Sequence, residues 1–322
     1  MNILYIIGNG FDKAQGMKTS YPEFYQYLMG KECSPLLEKM KKSIKEDTKL
    51  WSDMEEAFGQ FTSEIETEQE LEDLYFELSD CLQSYLIEEE KAFIPTEEHQ
   101  HKFLEVFISP EKYLDEADRA RYSRVAHGLD SMKHINVVTL NYTKTLESLL
   151  ALDKAKKTDM LSKLTRLDQI LHLHGRLGES IIIGVDNESQ IANDKYKKSE
   201  DVKDYLVKTQ SNSSMKYTRS NTFETLIESA HLIILYGVSL GDTDLRWWRL
   251  IGNQFKKRNN LFIIQFLYSP LKITPTRRQL LGRAERTQRS ALMKKFGFEG
   301  EKEWPREASD RLFFIINSNA FK

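Results

Sequence analysis

Residues 1–12 constrain the fold of this chain more than any other stretch. Residues 3–7 form a short, almost purely apolar run, which is typical of a strand buried on both faces in an α/β protein. The run ends at Gly8, and Gly10 follows two residues later. Because glycine has no Cβ, it lets the backbone turn sharply and approach another molecule closely. The pattern predicts either a tight strand-to-helix turn or a loop that holds a phosphate against backbone N–H groups.

The segment after this loop favours the phosphate-binding alternative. Gly16 and the pair Tyr21-Pro22 predict that the chain folds back over the first loop before it enters a helix. Proline suits the first turn of a helix, so Ser20 or Tyr21 is expected to be the N-cap residue.

Composition limits the class of protein. A chain of 322 residues, 30% charged and 40% apolar, is typical of a soluble globular protein with one large domain or two ordinary ones. No apolar run approaches the roughly 18 residues of a membrane span, and the opening run is too short for a secretory signal. We therefore expect a cytoplasmic protein that does not enter a membrane. Cys33 and Cys81 are the only cysteines, which excludes a disulfide framework and a four-cysteine zinc site.

Charge is unevenly distributed, although the net charge is only −3. Residues 51–90 contain 14 acidic residues and no lysine or arginine, whereas residues 246–311 contain 16 basic and 6 acidic residues. Two oppositely charged, solvated faces would explain this distribution. The alternatives are that the two regions dock on each other, within one chain or in a homo-oligomer, or that the basic region binds nucleic acid.

Residues 30–132 are predicted to be helical throughout. Leucines and tyrosines between Leu71 and Leu86 recur at helical spacing, which predicts one long amphipathic helix with an acidic outer face. Shorter helices are predicted at 36–44, 51–65, 99–107 and 112–132. We therefore predict a helical insertion at 31–132, packed beside or over a nucleotide-binding core made of residues 1–30 and 133–322.

Buried strands recur in the second half of the chain. Short runs rich in apolar and β-branched residues predict strands at 135–140, 170–174, 180–184, 232–236, 261–267 and 312–316. Helical patterns between several of them predict a parallel sheet flanked by helices, whereas residues 186–222 indicate a mobile connection with a short helix near 202–207. Polar residues follow several strands, at the edge where open α/β sheets bind ligands.

Asn141 and two histidines are the polar residues with the clearest chemistry. Asn141 follows the strand at 135–140 and is either the N-cap of the next helix or a ligand-binding side chain. His172 and His174 share one face of the strand at 170–174. A His-x-His pair can bind a metal, but no convincing third ligand lies nearby, and we predict no metal. A histidine before a glycine at a strand end suits a general base, because histidine titrates near neutral pH.

Four motifs together carry a family resemblance: Gly8-Asn-Gly-Phe-Asp12, Leu140-Asn-Tyr-Thr-Lys-Thr-Leu-Glu147, His172-Leu-His-Gly175 and Gly237-Val-Ser-Leu-Gly-Asp-Thr-Asp244. In this order they resemble the bacteriophage abortive-infection family AbiH, from the first residues to about residue 270. More distantly, they resemble the NAD-binding domain of sirtuins, which carries Gly-Ala-Gly-x-Ser, Gln-Asn-Ile-Asp, His-Gly and Gly-Thr-Ser-Leu. The resemblance implies a Rossmann-like, sirtuin-like α/β core with a large helical insertion after the first βα unit.

The same resemblance implies roles for individual residues. His174 would be the catalytic base, and Asn141 would orient a water or the ribose of NAD. The other expected NAD-binding residues are Gly8, Asn9, Gly10, Phe11, Asp12, Tyr21, Tyr142, Thr143, Gly237, Ser239, Leu240 and Asp242. Backbone N–H groups of residues 8–10 would bind the diphosphate, and Ser239 would bind the second ribose.

The chain also departs from the sirtuin pattern. Thr143 stands where sirtuins have an aspartate that helps to hold the nicotinamide, and the sirtuin zinc cysteines are absent. Residues 31–132 separate the first loop from Asn141, which suits a defence protein rather than a lysine deacylase.

These observations predict an antiphage defence protein that hydrolyses NAD to nicotinamide and ADP-ribose. Breaking the bond between nicotinamide and ribose builds positive charge on the sugar, so the enzyme must orient the ribose and present a base. One alternative is a non-catalytic sensor of NAD or ADP-ribose. The other is a nucleic-acid-directed defence protein that uses the arginine-rich helix after Pro275.

Overall fold

The chain folds around one central β-sheet. The structure is a computed structural model that describes residues 1–125, 132–152, 160–269, 275–298, 308 and 310–317. The strands of the described chain are β1 (Asn2–Ile7), β2 (Lys133–Thr139), β3 (Met160–Ser162), β4 (Thr165–His172), β5 (Leu232–Tyr236), β6 (Phe262–Leu267) and β7 (Leu312–Ile316). Their order across the sheet is β3-β4-β2-β1-β5-β6-β7.

The strand order reverses at the centre of the sheet. β1 pairs in parallel with both β2 and β5, and the other neighbouring pairs are parallel except for β3 with β4. From β1 the chain builds one half of the sheet through β2 and β4, and then returns to add β5, β6 and β7 on the other side of β1. In open parallel sheets such a reversal leaves a crevice at the carboxyl ends of the two central strands, and ligands bind there.

Helices accompany the sheet along most of the chain. In the described residues they are α1 (Gly10–Ala14), α2 (Tyr21–Met29), α3 (Pro35–Glu46), α4 (Met54–Phe61), α5 (Glu68–Ala92), α6 (Glu97–Ile108), α7 (Glu116–Val125), α8 (Thr145–Leu149), α9 (Glu200–Leu206), α10 (Lys208–Ser214), α11 (Arg219–Ser229), α12 (Leu245–Lys257) and α13 (Gln279–Phe296). None of these helices is long and apolar enough to cross a lipid bilayer.

Both faces of the sheet are covered by helices. Leu4 and Ile6 of β1 pack in one apolar core with α11, α12 and α13. Tyr5, which lies between them, belongs to the opposite core and stacks on Phe107 of α6, with ring centroids 4.5 Å apart. A strand buried on both faces must be apolar at every position, which explains the continuous apolar run at 3–7.

The helices of residues 31–132 belong to two different cores. α6 and α7 pack on the sheet through Phe103, Phe107 and Tyr122. In contrast, α3, α4 and α5 pack together with α2 and with residues 177–207 in a separate helical core. One part of the region thus covers the sheet, and the other part builds the helical core.

The predicted mixed α/β fold, with a sheet flanked by helices, is confirmed. The strands predicted at 3–7, 135–140, 170–174, 232–236, 261–267 and 312–316 correspond to β1, β2, β4, β5, β6 and β7. The long amphipathic helix corresponds to α5. The helix predicted at 112–132 corresponds to α7 as far as residue 125, and residues 126–131 lie outside the described residues.

The strand predicted at 180–184 is wrong. The N–H of Ile182 donates to His174 O, and the N–H of Ile183 donates to Tyr75 Oη, so these amides bond outside the sheet. Ile181 and Ile183 are buried in the helical core, and a short apolar run does not show whether a sheet or helices will bury it. Residues 186–222 are also more helical than predicted, because they contain α9, α10 and the start of α11.

Candidate functional site

A cavity of about 910 Å³ lies at the carboxyl ends of β1, β2 and β5, beside the switch point of the sheet. Ligand pockets typically have volumes of about 300–1,000 Å³, so this one is large. The predicted site residues that line it are Gly8, Asn9, Gly10, Asp12, Tyr21, Asn141, Tyr142, Thr143, His174, Gly237, Ser239 and Leu240. Motifs from distant parts of the chain therefore meet at one cavity.

Phe11 and Asp242 are predicted site residues that do not line the cavity. The Phe11 ring packs against Phe103 and Tyr236, with ring centroids 5.8 and 5.5 Å apart. The carboxylate of Asp242 pairs with Lys295, with Oδ1 2.6 Å from Nζ. Phe11 therefore anchors the first loop in the core below the sheet edge, whereas Asp242 ties the loop after β5 to α13.

The glycines of the first loop pack against the loop after β5. The N–H of Gly8 donates to Tyr236 O and the N–H of Gly10 donates to Gly237 O, both at 2.9 Å. A Cβ at position 10 would lie 2.7 Å from Gly237 Cα, and Gly237, with φ of +66°, would place a Cβ 2.3 Å from Phe11 N. Glycine is required because the two loops touch through their backbones. The amides of Gly8 and Gly10, which the sequence suggested for a diphosphate, are thus engaged with β5.

Asn141 is not a helix N-cap. α8 begins at Thr145 with Lys144 as its N-cap, so this alternative role of Asn141 is wrong. The Nδ2 of Asn141 donates to Gly8 O at 3.3 Å, and its backbone oxygen lies 3.0 Å from His172 Nδ1. Asn141 is thus buried where the chain segments after β1, β2 and β4 meet.

His172 and His174 are two residues apart but have different surroundings. Both ring nitrogens of His172 have a partner: Nδ1 lies 3.0 Å from Asn141 O, and Nε2 lies 2.8 Å from Glu147 Oε1. His174 is 4% exposed and lines the cavity, and among the described residues neither of its ring nitrogens has a hydrogen-bond partner. Its Nε2 lies 3.2 Å from Asp244 Oδ1, at ion-pair distance but without the alignment of a hydrogen bond. A buried histidine beside a carboxylate, with unsatisfied ring nitrogens, suits a general base.

A buried ion cluster, made of Lys208, Glu55 and Asp244, holds the carboxylate next to His174. Lys208 Nζ lies 2.8 Å from Glu55 Oε2 and 3.3 Å from Asp244 Oδ1, and it donates to Thr243 O at 3.1 Å. Burial alone would raise the pKa of Asp244, but the positive charge of Lys208 lowers it below its ordinary value. Asp244 therefore stays ionised. The shared ammonium also ties α4, α10 and the loop after β5 together.

Asp12 is a second buried carboxyl in the cavity, and it has different partners. It lies in α1 and is 1% exposed. Its Oδ2 accepts a hydrogen bond from Thr143 Oγ1 at 2.5 Å, and Thr143 Oγ1 accepts one from Thr145 Oγ1 at 3.0 Å. Burial raises the pKa of Asp12 from its ordinary value of 3.8 to about 6, although the neighbouring side chains of Thr143, Thr145 and Asn141 oppose the shift. Asp12 therefore releases its proton closer to neutral pH than an exposed aspartate does.

The arginine-rich helix α13 contributes cations to the same cavity. Lys294 and Lys295 line it, together with Lys13 from α1. Arg289 of α13 instead packs on Phe314, with 5.0 Å between the guanidinium carbon and the ring centroid, and donates to Leu312 O. Part of the positive charge of this helix is thus used in packing, and part faces the cavity.

The side chains of the site do not form a metal-binding group. Within the part of the chain that the structure describes, no three His, Cys, Asp or Glu side chains are placed to hold a metal ion. His172 and His174 do not act as a pair, because His172 contacts Glu147 whereas His174 contacts Asp244.

The sequence profile described as bacteriophage abortive infection AbiH matches residues 4–266. The chain belongs to the AbiH family. The AbiH match contains all four motifs and most of the cavity lining, whereas Lys294 and Lys295 lie beyond it. None of the curated proteins matches the chain. Membership of AbiH associates the protein with abortive infection, a defence against bacteriophage.

The sequence did not identify the ion cluster of Glu55, Lys208 and Asp244, nor the cavity lysines Lys13, Lys294 and Lys295. Asp244 ends the last motif, and its place after a predicted buried strand is a signal that could have identified it. Glu55 is one of 14 acidic residues at 51–90, and Lys208 lies in a weakly patterned segment. Neither has a distinguishing signal in the sequence, because only the fold brings them together.

Proposed function

We propose that this AbiH protein binds NAD in the cavity and hydrolyses the bond between nicotinamide and ribose, so that loss of NAD stops the infected cell. The observation that carries the proposal is the environment of His174. This histidine is buried in the cavity wall, its Nε2 lies 3.2 Å from Asp244 Oδ1, and its Nδ1 has no hydrogen-bond partner among the described residues. A histidine with a purely structural role would have its ring nitrogens satisfied, as those of His172 are.

The strand order supports a dinucleotide as the ligand. Without the antiparallel edge strand β3, the parallel strands run β4-β2-β1-β5-β6-β7, which corresponds to the order of a doubly wound, Rossmann-like sheet. Such sheets bind dinucleotides across the crevice where the strand order reverses, and the cavity lies beside that point. The resemblance of the motifs to those of sirtuins favours NAD among the dinucleotides.

The reaction makes three demands on the cavity. The bond between ribose C1′ and nicotinamide breaks, and its electron pair stays on the nicotinamide nitrogen. The oxygen of a water forms a bond to C1′ and loses a proton, so the products are nicotinamide, ADP-ribose and one proton. Positive charge builds on the ribose as the bond breaks, as in glycoside hydrolysis. The protein must therefore orient the ribose, position the water and accept its proton.

In this proposal His174 accepts the proton. Asp244 contacts the Nε2 side of the ring and stays ionised beside Lys208, so it stabilises the imidazolium that forms and leaves Nδ1 for the water. Asn141 lines the same cavity, and its side chain is fixed by the hydrogen bond to Gly8 O. A fixed amide suits a residue that orients the water or the ribose.

The cations of the cavity are suited to the diphosphate. The amides of Gly8 and Gly10 already donate to carbonyls at the end of β5, so side chains must supply most of the contact. Lys13, Lys294 and Lys295 line the cavity and carry the charge that a diphosphate needs, and Lys295 would exchange its contact with Asp242 for one with the diphosphate. Ser239, which is exposed in the loop after β5, suits a ribose hydroxyl.

The proposal is tested by incubating the purified protein with NAD and measuring nicotinamide and ADP-ribose by chromatography. Release of both in equal amounts supports hydrolysis. Calorimetric binding of NAD or ADP-ribose without any release would contradict hydrolysis and select the non-catalytic sensor. Nucleic acid that copurifies and is lost at high salt, in a protein that does not bind NAD, would select the nucleic-acid-directed alternative.

A further inference from the structure

Asp12 has one carboxyl oxygen that the protein leaves without a partner. Thr143 donates to Oδ2, and Thr145 donates to Thr143, so a pair of hydroxyl groups fixes the orientation of the carboxyl. Its Oδ1 is buried, and no described residue donates a hydrogen bond to it. The salt bridges of the described chain also provide Asp12 with no lysine, arginine or histidine partner.

An unsatisfied oxygen of this kind is costly to bury. Leaving a buried acceptor without a donor destabilises the folded protein, and it does so more strongly when the group is charged. The fold neutralises the other buried aspartate of the cavity, Asp244, with Lys208. Asp12 faces the same cavity and receives no cation, which indicates that its donor comes from the ligand.

The parts of NAD differ in whether they offer Asp12 Oδ1 a positive charge and a hydrogen-bond donor. The diphosphate is anionic and would be repelled, while the adenine and both riboses are neutral. The oxidised nicotinamide ring carries a positive charge and also a carboxamide with N–H donors. A charged donor bonds to a carboxylate more strongly than a neutral one does. The nicotinamide end is therefore the part that satisfies both the charge and the hydrogen-bonding capacity of Asp12.

We propose that Asp12 Oδ1 binds the nicotinamide end of oxidised NAD, and that this contact orients the dinucleotide and selects NAD over its reduced form. This inference rests on the proposed function, because it takes NAD as the ligand. It places the diphosphate away from Asp12, toward Lys294 and Lys295. Asp12 is thus a binding residue that determines specificity, whereas His174 performs the chemistry.

The test compares ligand affinities of Asp12→Asn with those of the unsubstituted chain, both in a His174→Ala background that prevents turnover. Asparagine has the same shape and can still accept the Thr143 hydrogen bond, but it carries no charge. Calorimetry at pH 7.5 would use NAD, NADH, nicotinic acid adenine dinucleotide and ADP-ribose. Loss of one charged hydrogen bond should weaken NAD binding by about 10- to 100-fold.

The other three ligands show which part of NAD contacts Asp12. NADH lacks the ring charge, so its affinity should change less than that of NAD. Nicotinic acid adenine dinucleotide has a carboxylate in place of the carboxamide, so it should bind better to Asp12→Asn than to the parent. ADP-ribose lacks the ring altogether and should bind equally well to both. Unchanged NAD affinity in a folded Asp12→Asn variant that binds ADP-ribose normally would overturn the inference and leave the proposed function intact. Failure of the parent to bind either ligand would overturn both.

A second pair of variants covers the case in which Asp12→Asn does not fold. Thr143→Val removes the donor to Oδ2 and should raise the pKa of Asp12 further, so tight NAD binding should require a higher pH than in the parent. Thr143→Ser keeps the hydroxyl and should keep the pH profile of the parent. Identical pH profiles for the valine and serine variants would contradict the role of Asp12.

Discussion

The fold treats the two buried aspartates of the cavity in opposite ways. Asp244 shares Lys208 with Glu55 and contacts His174, and its pKa is lowered despite burial. Asp12 receives a hydroxyl donor, and burial raises its pKa to about 6. A carboxylate that the protein neutralises can position its neighbours, whereas one that it does not neutralise is available to a ligand. In the proposed function, the Asp244 side of the cavity would perform the reaction and the Asp12 side would select the ligand.

Substitutions in the ion cluster around Asp244 should reduce stability more than substitutions around Asp12. Lys208→Met would leave the carboxylates of Glu55 and Asp244 buried without their cation. Breaking a buried ion pair in this way typically costs about 3–5 kcal/mol, so we expect a loss of that size in the free energy of unfolding, measured by denaturant titration. Turnover of NAD per folded molecule should also fall, because Asp244 would no longer stay ionised beside His174.

Lys41 provides a matched control for Lys208. It is also buried, at 3% exposure, but its partner Glu38 is half-exposed and can be solvated when the lysine is removed. Lys41→Met should therefore cost about 1 kcal/mol and leave NAD turnover unchanged. An equal loss of stability in the two variants would mean that the ion cluster at Lys208 has no special role.

Removal of the Asp12 charge should have the opposite effect and stabilise the protein. Folded Asp12 keeps its proton up to about pH 6, whereas the unfolded chain releases it near 3.8. The native state therefore binds more protons than the unfolded state between these values, and stability falls as pH rises through this range. Above pH 6 the free energy of unfolding is lower by at most about 3 kcal/mol for this reason. Asp12→Asn removes this loss, so it should raise the free energy of unfolding at pH 7.5 by up to about that amount.

The pH dependence makes this prediction specific. Below about pH 3, folded and unfolded Asp12 are both protonated, so the stability gain of Asp12→Asn should disappear there. The exposed residue Asp194 is the control, since Asp194→Asn should change stability by less than about 0.5 kcal/mol at either pH. A destabilised Asp12→Asn protein at pH 7.5 would show that the protein itself satisfies the Asp12 charge.

The smallest expected effect on stability concerns Asn141. Asn141→Ala removes the hydrogen bond to Gly8 O, which should cost about 0.5–1.5 kcal/mol, and it should reduce NAD turnover. Asn136, in the same chain segment, is also buried and accepts a hydrogen bond from Gln169. Asn136→Ala should lose similar stability but retain turnover per folded molecule. Equal turnover in the two variants would remove Asn141 from the mechanism.

The sequence predicts the sheet better than it predicts the site. Six of the seven described strands overlap an apolar or β-branched run in the sequence, whereas the three-residue edge strand β3 was not predicted. The motifs at the strand ends converge because parallel strands share one edge. An apolar run does not always form a strand, because Ile181 and Ile183 are buried by helices instead. The sequence pattern also cannot identify Lys208, whose partners are distant in the chain.

Thr143 illustrates what a motif cannot show. Its hydroxyl in place of the sirtuin aspartate suggests a lost acidic function. In the structure that hydroxyl donates to Asp12 Oδ2 at 2.5 Å, so a carboxyl group from another motif lies next to Thr143. The sequence places Asp12 and Thr143 in separate motifs, and only the pairing of β1 with β2 brings them together.

The central claim is that His174 acts as the base in NAD hydrolysis, and a comparison of His174→Ala with His172→Ala tests it most directly. Nicotinamide release from NAD would be measured for both variants and normalised to the folded fraction from thermal melts. We expect His174→Ala to lose about 10²- to 10⁴-fold in turnover while ADP-ribose still binds, because a general base contributes about that much. His172→Ala should lose stability but retain most of its turnover, since His172 contacts Glu147 and Asn141 and does not line the cavity. Full nicotinamide release by a folded His174→Ala protein would contradict the account.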